Sequence, residues 1–299
     1  MFVVTGATGN TGSTIVKILH AKGQPVRAIG RNAEHLKTAA RGAEPFVCDI
    51  TDEAALAKAF AGAGAVYAMV PPEMNSSDYL AYQVKVANSI AAAIEKTGVK
   101  RIVALSSLGA DKTSGAGPAS GLHQFEQRLN RIPGANVLCL RAGSFMENTL
   151  PQIGTIKQAG MLVGPYRADL KMPMIDARDI GAAAAEAMLK GDYRGHETRE
   201  LLGQRDLTMA EAAEIIGKYI GKPDLKYVQA PNDQVRAALT GMGMSPNVAD
   251  LLLEMAGALN SGSMRALEAR NSRNTTPTSF ETFVKEEFVP RYQGKSTAA

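Results

Sequence analysis

The densest chemistry-bearing stretch opens the chain: Thr5-Gly6-Ala7-Thr8-Gly9-Asn10-Thr11-Gly12, between the apolar run Phe2-Val3-Val4 and a segment of helical period. Glycines at 6, 9 and 12 allow a tight turn, a close backbone approach to a pyrophosphate, and close packing of helix on strand. The helix start adds free N–H groups and a partial positive charge. The alternative is a glycine-rich strand–helix turn that holds nothing. No Gly-Lys-Ser/Thr follows, which excludes a Walker loop. The second apolar run ends in Gly30-Arg31-Asn32, where a NAD-selective fold places a carboxylate against the ribose 2′-hydroxyl. A guanidinium there takes a 2′-phosphate in two hydrogen bonds and stacks on adenine, so NADP(H) is favoured over NAD(H). Otherwise Arg31 is a solvated loop residue. Asp49-Ile50 pairs a carboxylate with an apolar side chain at a strand end, suited to the edge and ring of adenine, or equally to the start of the next helix.

These residues need a frame, and the first 145 residues supply one by alternating β-branched runs with alanine-rich helical segments. The pattern predicts strands over 2–5, 25–29, 44–48, 65–70, 101–105 and 135–141, and helices over 12–22, 53–61, 79–96 and 124–130. Six strands suit an α/β Rossmann fold, a doubly wound parallel sheet. Glycine, proline and methionine punctuate 143–175, which reads as loops over a cleft. A helix over 179–190 follows, then a strand over 198–202 and a helix from the capping box Thr208…Glu211 to about 220. Helical spacing at 235–239 and 247–259 points to a smaller, mostly helical C-terminal lobe, ending in a frayed tail over 294–299. The division is 1–145 plus about 173–204 for the dinucleotide-binding domain, and about 146–172 plus 205–299 for the substrate lobe.

Composition narrows the classes. Cys48 and Cys139 lie inside apolar runs without Cys or His neighbours, which argues against a metal site and a disulfide scaffold. The 33 basic and 29 acidic residues leave a net charge of +4 spread along the chain, so no nucleic-acid surface is expected. No uncharged span reaches membrane length and no leader-like segment is present, so the expectation is a cytoplasmic protein without a membrane partner.

Further motifs carry a resemblance: Leu105-Ser106-Ser107, Leu140-Arg141-Ala142-Gly143-Ser144-Phe145-Met146-Glu147-Asn148, Pro173-Met174-Ile175-Asp176-Ala177-Arg178-Asp179-Ile180 and Thr276-Pro277-Thr278-Ser279-Phe280-Glu281-Thr282-Phe283. With the glycine loop and Arg31, they resemble the NmrA-like atypical short-chain dehydrogenase/reductases along the whole chain, the last stretch looking like the family's closing helix. The resemblance implies NADP(H) in the crevice at the strand ends and a substrate pocket beside the nicotinamide. It would assign the pyrophosphate to Thr8, Gly9, Asn10 and Thr11, the 2′-phosphate to Arg31, adenine to Asp49 and Ile50, and the ribose side to Met69, Val70 and Pro71.

Ser106 and Ser107 stand where short-chain dehydrogenases keep a catalytic serine, yet the usual Tyr-x-x-x-Lys is missing and the following segment reads Gly121-Leu122-His123-Gln124-Phe125-Glu126. His123 is the nearest replacement as proton donor, with a surface or supporting histidine as the alternative. Phe145, Met146 and Asn148 would overhang the nicotinamide as a wall for a flat substrate, or Phe145 and Met146 are simply core; Tyr166, Met172 and Met174 are further candidates for that wall. Asp176 and Asp179 read as loop-ordering and capping residues.

Two functions remain. One is an NADPH-dependent oxidoreductase that passes hydride to a planar hydrophobic acceptor such as a quinone or azo dye, whose reduction tolerates the missing Tyr/Lys pair. The other is a regulatory protein of the NmrA type that senses NADP(H) without turnover. The sequence leaves a homodimer open.

Overall fold

The apolar runs of the first half become strands, most of them buried on both faces and the run at 44–47 largely exposed, and the alanine-rich segments become the helices that cover them. The computed structural model describes residues 1–40 and 42–295; positions 296–299 of the expected tail lie outside them. In chain order these are β1 (Phe2–Val4), α1 (Asn10–Ala21), β2 (Val26–Gly30), α2 (Ala33–Ala39), β3 (Glu44–Val47), α3 (Glu53–Phe60), β4 (Ala65–Ala68), α4 (Tyr79–Thr97), β5 (Arg101–Ser107), α5 (Pro118–Asn130) and β6 (Asn136–Ala142). The second half runs β7 (Ser144–Phe145), a 3-10 turn (Met146–Thr149), α6 (Gln152–Ala159), β8 (Met161–Gly164), β9 (Met172–Ile175), α7 (Ala177–Lys190), β10 (His196–Leu201) and β11 (Asp206–Leu207). It continues with α8 (Met209–Ile220), β12 (Lys226–Gln229), α9 (Asn232–Gly241), α10 (Pro246–Asn260), α11 (Phe280–Phe283), a π turn (Val284–Phe288) and α12 (Val289–Tyr292).

Seven strands form the main sheet in the order β3-β2-β1-β4-β5-β6-β10, every pair parallel. This is the doubly wound Rossmann arrangement expected, with its direction reversing between β1 and β4. An open α/β sheet leaves a crevice for ligands at such a switch point. One face is sealed by Phe60, Ile90 and Phe125 from α3, α4 and α5. The other is sealed by Ile15, Leu19, Leu36 and Ile180 from α1, α2 and α7. A third apolar cluster lies in the C-terminal half and joins Met146, Ile156, Leu162 and Ile216 to Phe280, Phe283 and Phe288. The three phenylalanines are at most 1% exposed, and each contributes about 1.5–3 kcal/mol by burial.

The structure departs from the sequence reading in several places, among them the unexpected strands β11 and β12. Segment 143–175, read as loops, contains β7, the 3-10 turn, α6, β8 and β9. These strands pair with residues far along the chain, β8 with β12 and β9 with β11, so no local period announces them. The helix α2 was not anticipated; Asn32 starts it by accepting from the Glu34 and His35 N–H groups at 2.9 and 3.1 Å. Helix α5 begins at Pro118 rather than 124, because a proline in the first turn gives up no needed N–H. The closing helical segment starts at Phe280, capped by Ser279, and runs to Tyr292.

The packing of α7 on α1 depends on Gly181, where a β-carbon would stand 2.7 Å from Thr14 Cβ and 2.8 Å from the Thr11 carbonyl oxygen. Gly181→Ala is expected to lower stability by about 1–3 kcal/mol through overpacking. Urea denaturation checks this as a lower midpoint at unchanged slope.

Candidate active site

The loop between β1 and α1 is held in a shape that only glycine permits. Gly6 is left-handed (φ 61°), and a β-carbon there would stand 2.7 Å from Met69 Sδ. At Gly12 a β-carbon would run into the Gly6 carbonyl. Two bonds from the buried β4 side fix the loop. Thr5 Oγ1 donates to the Tyr67 carbonyl at 3.1 Å, and Tyr67 Oη donates to Thr11 Oγ1 at 3.0 Å. Asp52, Asp78, Asp176 and Thr208 cap their helices, but α1 follows Gly9 and has no side-chain cap. Its first N–H groups are thus free to receive an anion.

A cleft of about 160 Å³ opens beside this helix start, at the ends of β1, β2, β3 and β4. Of the residues expected to hold a cofactor, Gly6, Thr8, Gly9, Arg31, Ile50, Met69 and Pro71 line it together. Ile29, Cys48 and Pro72 join them without having been anticipated. Asn10, Thr11, Gly12, Asp49 and Val70 are not in its wall; Thr11 is buried on Tyr67, and Val70 packs into the core. Asp49 accepts from the Thr51 N–H and hydroxyl at 2.7 and 2.8 Å. Those bonds, with a smaller effect of the nearby Arg31 guanidinium, hold its acid below the usual carboxylate range. Arg31 is largely exposed and lies 3.4 Å from Glu73. The glycine cradle, uncapped helix and exposed guanidinium fit a dinucleotide diphosphate with a 2′-phosphate.

At the ends of β5 and β6 the serines are already engaged. Ser106 Oγ donates to Glu126 at 2.6 Å, and Arg141 grips the same carboxylate at 2.9 and 2.6 Å. This buried network is unannounced by the sequence, because its members lie 15 and 20 residues apart on three elements. Ser107 Oγ donates to the Leu108 carbonyl, and His123 Nδ1 donates to the Ala110 carbonyl at 2.9 Å. Ser106, Ser107 and His123 line none of the cavities described here.

A second cavity of about 360 Å³ lies between β8, β9, α8 and α9, and a smaller one of about 90 Å³ lies under Gly143 and Phe145. Asn148 and Tyr166 line both, Phe145 and Met172 the smaller, and Met174 the larger. Met146 is 1% exposed and belongs to the third apolar cluster, the core alternative of the sequence reading. Next to Met146 in the chain, Glu147 accepts from the Ala177 N–H at 3.0 Å, while its other oxygen is buried without a partner among the described residues. Burial first, and the neighbouring Asp176 charge second, push its acid up to about 7. Asp176 itself caps α7 and is gripped by Arg178, and Asp179 accepts from Thr278. Among the described residues no cluster of His, Cys, Asp and Glu could hold a metal, and no helix is long and apolar enough to cross a membrane.

The model of the NmrA-like family matches residues 1–284. An NAD(P)H azoreductase of Xenophilus azovorans is 30% identical over 258 residues, 85% of this chain and 86% of that protein. A (4-alkanoyl-5-oxo-2,5-dihydrofuran-3-yl)methyl phosphate reductase of Streptomyces griseus is 29% identical over 264 residues, 88% of each. Among solved structures, an Escherichia coli NADPH-dependent quinone oxidoreductase in complex with NADPH superposes with a TM-score of 0.79 at 27% identity, covering 96% of this chain and all of that one.

The state of Glu147 makes a prediction about stability. Its folded acid, near 7, lies above its ordinary value of 4.5, so folding takes up a proton between the two. The stability it contributes is full below that lower value and is lost as pH rises through about 7. Gln at this position can still accept from Ala177, so Glu147→Gln should leave the melting temperature almost unchanged near pH 5 and raise it near pH 8. Thermal melts across that range check the sign.

Proposed function

The chain belongs to the NmrA-like family, and from that premise we propose that it is an NADPH-dependent oxidoreductase that passes hydride to a planar acceptor such as a quinone or an aromatic azo dye. The carrying observation is the convergence of an uncapped α1 start and the Arg31 guanidinium on one cleft at the sheet's switch point, with uncharged cavities beyond it. The azoreductase and quinone oxidoreductase relatives support the same chemistry.

Gly6, Gly9 and the α1 start receive the diphosphate, with Thr8 at its side. Arg31 leaves Glu73 for the 2′-phosphate, and Ile50, Met69 and Pro71 flank the nucleoside. Bound NADPH supplies a hydride, which with one proton from water converts a quinone to its hydroquinone and leaves NADP⁺. Ser106, Glu126 and Arg141 position the ends of β5 and β6 rather than react. Phe145, Asn148 and Tyr166 receive the flat ring and exclude water from it. His123 is the side chain to test as a proton relay, through Nε2, since Nδ1 is tied to Ala110.

The same reading assigns cofactor binding to 1–145 with about 173–204 and acceptor binding to about 146–172 with 205–299, a division supported by the separate apolar cluster of the C-terminal half. It also places the protein in the cytoplasm, in keeping with two unpaired, buried cysteines.

NADPH titrated by its own fluorescence is expected to show saturable enhancement, followed by decay when quinones or azo dyes are added. Binding without consumption across a broad panel would favour the sensor instead. Arg31→Glu should raise the NADPH Kd about ten- to a hundredfold while affecting NADH far less, since it removes charge-assisted hydrogen bonds and adds repulsion. Equal losses for both cofactors would remove the 2′-phosphate role. An unchanged pH–rate profile in His123→Ala would likewise remove the relay.

A further inference from the structure

The two cavities of the C-terminal half differ in a way that points to the shape of the acceptor. None of the residues lining the larger one carries a charge. Several of its polar side chains are already satisfied by backbone. Gln152 donates to the Val163 carbonyl at 2.9 Å and accepts from the Val163 N–H at 3.1 Å. Thr149 donates to the Met146 carbonyl at 2.8 Å. The Tyr227 hydroxyl donates to the Tyr166 carbonyl at 2.9 Å and accepts from the Tyr166 N–H at 3.0 Å. Ser144, Asn148 and the Tyr166 hydroxyl make no side-chain hydrogen bond among the described residues, and these three residues form the wall shared with the smaller cavity under the strand ends.

Polarity is therefore concentrated at one end. Beyond that shared wall the larger cavity is bounded by Val163, Met209, Val235 and Leu239, with Thr155 half-buried and Gln234 exposed at the rim. Met242, 62% exposed, stands at the outer end, just past α9.

We propose that the natural acceptor is amphipathic: a planar reducible ring held at Ser144, Asn148 and Tyr166, and an uncharged apolar tail lying along Val163, Met209 and Leu239 toward Met242. This rests on the reductase reading and names the substrate class of the same site. A cavity of about 360 Å³ accommodates a substituent of several carbons, and its methionines adapt to the tail's shape. An anionic substituent would lose its water there and meet no countercharge. The Streptomyces relative is named for a phosphate ester, and nothing in the wall of this cavity would pair with such a group.

The test is a series of 1,4-benzoquinones bearing methyl, butyl and heptyl tails, with the butyl and heptyl compounds also ending in carboxylate, assayed with the full chain and NADPH. The expected result is a kcat/KM that rises about fourfold per methylene, the burial value of ~0.8 kcal/mol, and falls back by tenfold or more when the tail ends in carboxylate. Leu239→Glu should flatten the dependence on tail length. A kcat/KM independent of tail length, or equal for charged and uncharged tails, overturns the proposal while leaving the reductase reading intact. If neither these quinones nor azo dyes are reduced, that reading fails, and calorimetric Kd values for the same quinones decide the tail: a Kd that falls with chain length upholds it, and a constant Kd overturns it.

Discussion

The rest of the molecule hangs on the contact between the backbone of Gly12 and the carbonyl of Gly6, closer than any β-carbon allows. It forces α1 to start directly over the end of β1, where the sheet reverses its direction of growth. The left-handed Gly6 turns the chain under Met69, while Tyr67 reaches from β4 to hold Thr11 and Thr5 ties back to the Tyr67 carbonyl. The loop is thus clamped from β4, the strand across the switch point from β1. The uncapped helix start is left as a fixed concentration of N–H donors, aimed by packing.

The neighbouring strand ends are stiffened differently. Glu126 takes a hydroxyl and a guanidinium in a buried site, an arrangement in which removing the Arg141 guanidinium would strand a charge. Side chains of this set are therefore busy holding β5 and β6 in register with α5, and the open hydrogen-bonding capacity lies further along the chain, at Ser144, Asn148 and Tyr166. Next to Asn148 in the chain, the acid of Glu147 is pushed up to about 7 by burial and by the Asp176 charge. The larger cavity consequently combines neutral polar groups at one end with apolar surface at the other.

How far the sequence could be read follows from the range of the interactions. The glycine loop, Arg31, the capping box at Thr208 and the alternation of strand and helix through the first half all act within a few residues, and the fold follows from them. The strands of 143–175 and the Glu126 network are contacts between distant residues, and no spacing rule reveals them. The same limit applies to Ser106 and Met146. Their positions beside the motif made them candidates, whereas Glu126 binds the first and the apolar cluster buries the second.

Sequence alone therefore determined the doubly wound sheet, the glycine turn over the end of β1 and the cationic residue beside it, because each depends on backbone sterics or local hydrogen bonding written in consecutive residues. Tertiary structure alone decided which candidate side chains remain free, and where charge is absent. Whether a hydroxyl, amide or carboxylate is available depends on the partner that reaches it from another element, and the apolar cavity of the C-terminal half exists only where β8, β9, α8 and α9 meet.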